Sequence, residues 1–194
     1  LFNAYFLLND GQVQVVTRKH YLPNEDVFDE KRLFTAGPLT GPFDAGALRI
    51  GAPICEDAWH RDVVETMAES GAELLIVPNG SPYRRNKNDL RINLMVGQVV
   101  SHDLPLVYLN MLGGQDDQVF DGASFVLNPG GHLAVQLPAF DEAIVPVDFR
   151  QTEQGWRAQT GLREILPDEW EQDYRAMVVG LGDYMSKCGF SKAV

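Results

Sequence analysis

Cys55 lies where the apolar run Leu48-Arg49-Ile50-Gly51-Ala52-Pro53-Ile54 gives way to Glu56-Asp57-Ala58-Trp59, a strand breaking into a predicted helix. A thiol at such a place is suited to nucleophilic work. The unpaired N–H groups and the dipole of a helix's first turn favour a thiolate, and they can receive an oxyanion forming beside it. The plainer alternative is a buried structural cysteine, because free cysteine is among the residues most often found inside. Company separates the two. A thiol acting on an amide needs a base to move its proton, a cation near the developing oxyanion and a carboxylate to hold both in register. The segment Lys19-His20-Tyr21-Leu22-Pro23-Asn24-Glu25-Asp26-Val27-Phe28-Asp29-Glu30-Lys31-Arg32 offers candidates.

Several elements must bring these residues together. Residues 4–9 and 13–18 alternate apolar and polar about Asn9-Asp10-Gly11, and Asp-Gly supplies the backbone dihedrals of a tight hairpin turn. From Leu22 to Phe34 no period is sustained, which reads as a long ordered loop. Helical spacing from Arg61 to Ser70 closes at Gly71, and the strand Leu74-Leu75-Ile76-Val77-Pro78 follows at once. With the strand before Cys55 this makes a strand–helix–strand unit, and hence a parallel pairing. A turn at Asn79-Gly80-Ser81-Pro82 leads to a helix from Asp89 to His102 and a strand from Leu106 to Asn110. Further strands are predicted at Ser124–Leu127, Leu133–Leu137 and Ile144–Asp148, giving a mixed sheet covered by helices. Apolar content thins from Gln151 to Glu171, which reads as a linker, and a last helix follows from residue 172. Phe190-Ser191-Lys192-Ala193-Val194 reads as the start of a strand.

Composition narrows the function. The chain of 194 residues is 45% hydrophobic and carries a net charge of −11, so it can bury a core but has no basic stripe for phosphate backbones or anionic lipid. Nucleic acid and membrane are therefore not expected as partners. Two distant cysteines make no disulfide framework, and neither a membrane-length apolar run nor a signal peptide is evident, which points to the cytoplasm. His20, His60, His102 and His132 are scattered without ligand spacing, so no metal is expected.

The Lys19 strand end with its Leu22-Pro23 loop closed by Phe28-Asp29-Glu30, and the strand ending in Cys55, resemble the nitrilase, or carbon–nitrogen hydrolase, superfamily. Cys55-Glu56-Asp57-Ala58-Trp59, Pro78-Asn79-Gly80-Ser81-Pro82-Tyr83, Gly113-Gly114-Gln115-Asp116 and Phe120-Asp121-Gly122-Ala123-Ser124-Phe125 narrow the resemblance to the amidotransferase half of glutamine-dependent NAD synthetases. As a set these blocks are specific, although each alone would be weak.

The resemblance implies an α/β fold, a nitrilase-like α-β-β-α sandwich with mixed sheets that would be incomplete at the N-terminus. It divides the chain into an amidotransferase domain over 1–150, a linker over 151–171 and the start of an ammonia-using synthetase domain over 172–194. It further implies a Glu–Lys–Cys arrangement containing Lys19 and Cys55, in which the first glutamate would precede Leu1. Glu30 matches a second glutamate in the loop after the lysine. Glu56 would meet the substrate's amino group, while Ser81 and Arg85, with Arg84 as a neighbour, are candidates for its carboxylate. Each has a plainer reading: a first-turn acid for Glu56, a cap for Ser81 and a surface charge for the arginines. Family members often place an aromatic after Leu-Pro-Asn, where this chain has Glu25.

The implied reaction is hydrolysis of glutamine through a thioester, supplying ammonia for ATP-dependent NAD synthesis from deamido-NAD. No cofactor is expected in this segment, ATP and Mg belong to the absent synthetase domain, and a homo-oligomer is implied. The alternatives are a stand-alone amidase on another small amide, and a catalytically silent fragment with an assembly role.

Overall fold

The computed structural model describes residues 1–193. The chain opens with the hairpin β1 (Ala4–Asn9) and β2 (Gln12–Arg18). Its turn residues Asp10 and Gly11 both hold positive φ, 48° and 72°, as the sequence predicts for a tight turn. The Leu22–Phe34 loop is interrupted by one helical turn, α1 (Glu30–Leu33).

β3 (Phe43–Ala45) and β4 (Leu48–Gly51) lead to a five-residue 3₁₀ turn at Cys55–Trp59. Then follow α2 (Arg61–Glu69), β5 (Leu74–Asn79), α3 (Lys87–His102) and β6 (Leu106–Asn110). β4, β5 and β6 run parallel, as the strand–helix–strand pattern requires. Beyond them lie β7 (Leu112–Gln115), β8 (Gln118–Asp121), β9 (Phe125–Asn128) and β10 (His132–Gln136). The main sheet has six strands in the order β10-β9-β6-β5-β4-β3, with its outer pairs antiparallel.

The apolar stripes of α2 and α3 explain the packing. Val63, Val64 and Met67 from α2 and Met95 and Val99 from α3 close on Leu75, Val77, Leu106, Tyr108, Phe125 and Leu127 of the sheet. Removing such a surface from water is the main stabilising term of the fold. It also fixes the chemistry's location: Cys55, Gly80 and Met111 all follow the carboxyl ends of the parallel strands, where open α/β sheets place their sites.

Three expectations need correction. Ile144–Asp148 is not a strand: Ile144 is fully exposed, and Pro146 has no N–H to give a ladder. The stretch predicted as a linker over 151–171 instead begins within a hairpin, β11 (Phe149–Thr152) with β12 (Gly155–Ala158), and Ala158 is buried against Val126, Ala134 and Val135. Residue 150 falls inside β11 and residue 171 inside the last helix. The last helix, α4 (Glu169–Cys188), is capped by the Asp168 carboxylate, which accepts from Trp170 and Glu171 N–H. It packs on the β7–β8 hairpin, where Asp183 accepts from Gly114 N–H and Lys187 donates to Gly114 C=O. Phe190–Ala193 form no strand, and Val194 lies outside the described residues. No helix among the described residues is long and apolar enough to cross a membrane.

Candidate active site

Cys55 adopts φ +52°, a left-handed conformation that costs a residue bearing a Cβ about 1–2 kcal/mol. What holds it there is Asp57, which is 1% exposed. Its carboxylate accepts from Ile54 N–H at 3.2 Å on the cysteine side, and from His20 N–H at 3.0 Å and Tyr21 N–H at 2.7 Å on the lysine side. One buried acid thus ties the nucleophile's turn to the segment that carries Lys19. Burial pushes the Asp57 carboxyl up, against the pull of these three N–H donors.

A cavity of about 640 Å³ opens above the cysteine, lined by Cys55, Lys19, Glu30, Phe28, Gly80 and Phe120 among others. Lys19 is 2% exposed, and its Nζ lies 2.8 Å from Glu30 Oε1. Glu30 Oε2 is buried without a hydrogen-bond partner. Lys19 is anchored at both ends of its peptide unit, N–H to Asn3 C=O and C=O from Gly37 N–H, each at 2.8 Å. Gly37 is needed for that approach, since a Cβ there would meet Arg18 Cβ at 2.5 Å. The structure thus brings together the three residues predicted for catalysis.

The resting thiol corrects one expectation. Burial pushes the Cys55 thiol up; Lys19 and the Gly80 N–H pull the other way, and Glu56 and Glu30 add to the rise. The turn after Cys55 is five residues of 3₁₀ helix, too short for a developed dipole, so desolvation outweighs it.

A second cavity, of about 460 Å³, shares Phe28 with the first and is lined by Glu25, Asp26, Lys31, Glu56, His60 and Lys87. Glu56 therefore sits beside the thiol cavity, with His60 Nε2 3.5 Å away. Lys87 lies over the Trp59 ring at 4.8 Å, and burial, then Arg91 and Arg84, lower its ammonium's pKa. It was missed in the sequence, where Arg84 and Arg85 drew attention to the same stretch.

Ser81 and Arg85 go elsewhere. Ser81 is 5% exposed, its Oγ accepts from Arg91 Nε at 3.0 Å, and it lines neither cavity. Arg85 points to α4, pairing with Asp173 and with Glu169 at 2.8 Å and lying over Trp170 at 4.8 Å. Arg84 pairs with Asp26 at the rim of the second cavity.

A half-buried cysteine and a buried lysine paired with a part-buried glutamate on one cavity, at the carboxyl edge of a mixed sheet, agree with the nitrilase-like α/β fold. The chain belongs to the carbon-nitrogen hydrolase family, which it matches over residues 1–158. It is 56% identical over 193 residues to the glutamine-dependent NAD(+) synthetase of Rhodobacter capsulatus, covering 100% of this chain and 35% of that protein. The structure of glutamine-dependent NAD+ synthetase from Acinetobacter baumannii, in complex with ADP, superposes with a TM-score of 0.90 at 33% identity, over 97% of this chain and 36% of that one. A mutant amidase from Nesterenkonia sp. AN1, showing Michael addition of acrylamide at its active site cysteine, gives 0.57 at 26% identity, over 66% of this chain and 48% of that one. The chain thus spans about a third of the length of the curated relatives it matches.

Proposed function

We propose that the chain is the glutaminase part of a glutamine-dependent NAD synthetase: it hydrolyses L-glutamine through a Cys55 thioester and supplies ammonia for ATP-dependent amidation of deamido-NAD. The observation that carries this reading is the shared cavity of Cys55, Lys19 and Glu30, in a chain so similar to enzymes of that name. The Cys55 sulfur attacks the carboxamide carbon, and the thiol proton passes to the leaving nitrogen through a glutamate that, by resemblance, precedes Leu1. The Lys19 ammonium stabilises the oxyanion, together with the backbone N–H following Cys55. The C–N bond breaks, ammonia leaves, and water cleaves the thioester to give glutamate. Glu30 keeps Lys19 in place. The second cavity supplies opposite charges for the rest of the amino acid: Glu56 for its ammonium and Lys87 for its carboxylate.

Ammonia is useful only if it reaches an acceptor before it is lost to water, which favours a tethered synthetase part. ATP and Mg would act in that part, apart from the thiol chemistry. A cytoplasmic homo-oligomer completes the reading. Ammonia release from L-glutamine, L-asparagine and a simple aliphatic amide by the full-length protein tests it. Selectivity for glutamine is the predicted result, and preference for another amide would overturn the substrate assignment in favour of a general amidase.

A further inference from the structure

We propose that the buried Arg91–Asp121 ion pair is the positioning device of the thiol site: it fixes the Gly80–Pro82 bend after β5 and so holds Gly80 on the wall of the cavity it shares with Cys55. The inference rests on the thiol chemistry proposed above. It also gives a use to the block Phe120-Asp121-Gly122-Ala123-Ser124-Phe125, which the reaction itself does not employ.

Arg91 projects from α3 and is 1% exposed, the largest fully buried side chain among the described residues. Each of the five N–H donors of a guanidinium has a counterpart in its bonds. Nη1 donates to both Asp121 oxygens at 2.9 and 2.8 Å, Nε to Ser81 Oγ at 3.0 Å, and Nη2 to the C=O groups of Ser81 and Pro82 at 2.7 and 3.1 Å. Asn110 grips the same bend from the sheet, accepting from Ser81 N–H at 3.0 Å and donating to Ser81 C=O at 3.1 Å. Ser124 Oγ accepts from Asn110 N–H at 2.9 Å in turn. The bend is therefore held by side chains immediately after Gly80, the residue that lines the cavity with Cys55.

The consequence for the sulfur follows from charge. Lys19 and the Gly80 N–H favour the thiolate, while burial, Glu56 and Glu30 oppose it. Loosening the bend removes one of the two favourable partners and leaves the rest in place. Lysine at position 91 keeps the positive charge but offers one compact ammonium where a planar fork serves five bonds.

The test is the rate of alkylation of Cys55 by iodoacetamide as a function of pH, in the full-length protein and its Arg91→Lys and Ser81→Ala variants. It is read on the Cys55 peptide by mass spectrometry, so that the exposed Cys188 does not contribute. Near-UV circular dichroism records that each variant is folded. The predicted result for Arg91→Lys is a rise of the alkylation midpoint by about one pH unit, or about tenfold slower reaction below it, with kcat for ammonia release lowered more than KM is changed. Ser81→Ala gives a smaller rise in the same direction. An unchanged midpoint in folded Arg91→Lys overturns the proposal; should that variant not fold, an unchanged midpoint in Ser81→Ala does so. Alkylation needs no amide substrate. A wild-type protein that releases no ammonia from glutamine would defeat the functional reading, while this one would still be decided by the midpoint.

Discussion

Two arginines six positions apart in the chain, Arg85 and Arg91, both pair with carboxylates, yet one is about half exposed and the other 1% exposed. Arg85 joins the start of α3 to α4 through Asp173 and Glu169. Arg91 meets Asp121 inside, beneath the bend that carries Gly80. Surface pairs are screened by water and cost side-chain entropy, so they stabilise little. A buried pair is different: removing one partner strands a charge that cannot reach water. The lesson is that an arginine near a site is assigned by its burial and its partners, since its type alone suits both substrate carboxylate and structural acid.

The sharpest way to break the comparison is Asp121→Asn. It leaves Arg91 buried without a counterion and should cost about 3–5 kcal/mol in urea denaturation, enough to threaten the fold. Next comes Asp57→Asn, which keeps one acceptor oxygen for three backbone donors and should cost about 1–3 kcal/mol. Ammonia release should fall with it, because the cysteine turn and the lysine segment lose their common tether. Arg85→Ala should lower the urea midpoint at neutral pH only slightly and leave the KM for glutamine unchanged; a large rise in KM would return Arg85 to the substrate site.

The smallest expected effect lies in acid. Arg85 first, then Tyr83, holds the Asp173 carboxyl below its ordinary value. The folded protein therefore binds that proton more weakly than the unfolded chain. The stabilisation is present above the ordinary carboxylate range and fades as pH falls through the lowered folded value. In Arg85→Ala this part of the acid-side decline should be missing from a pH series of urea midpoints.

The sequence was most legible where local chemistry decides structure. Asp10-Gly11 announces its turn, and the strand–helix alternation from Leu48 to Asn110 announces parallel pairing. Cys55, Lys19 and Glu30 could be named because their residue types and blocks match a known thiol arrangement. Legibility failed where long-range packing decides. The stretch from Gln151 to Glu171 is polar enough to read as a linker, but Ala158 ties its first part to the core. Gly114 gives no sign in sequence that α4 will dock on it through Asp183. Asp57 was in view within Cys-Glu-Asp-Ala-Trp, yet its tie to His20 and Tyr21 spans more than thirty residues and only the fold reveals it. Ser81 is a candidate for the substrate carboxylate or a cap in the sequence; the guanidinium that claims its Oγ comes from a helix ten residues on, and only the fold reveals it.

The most direct test of the account is covalent. A chloroketone analogue of glutamine, incubated with the full-length protein and followed by peptide mass spectrometry, should label Cys55, spare Cys188 and be slowed by free glutamine, while Cys55→Ala should take no label and release no ammonia. Label on Cys188 alone, or ammonia release from glutamine that survives Cys55→Ala, would contradict it.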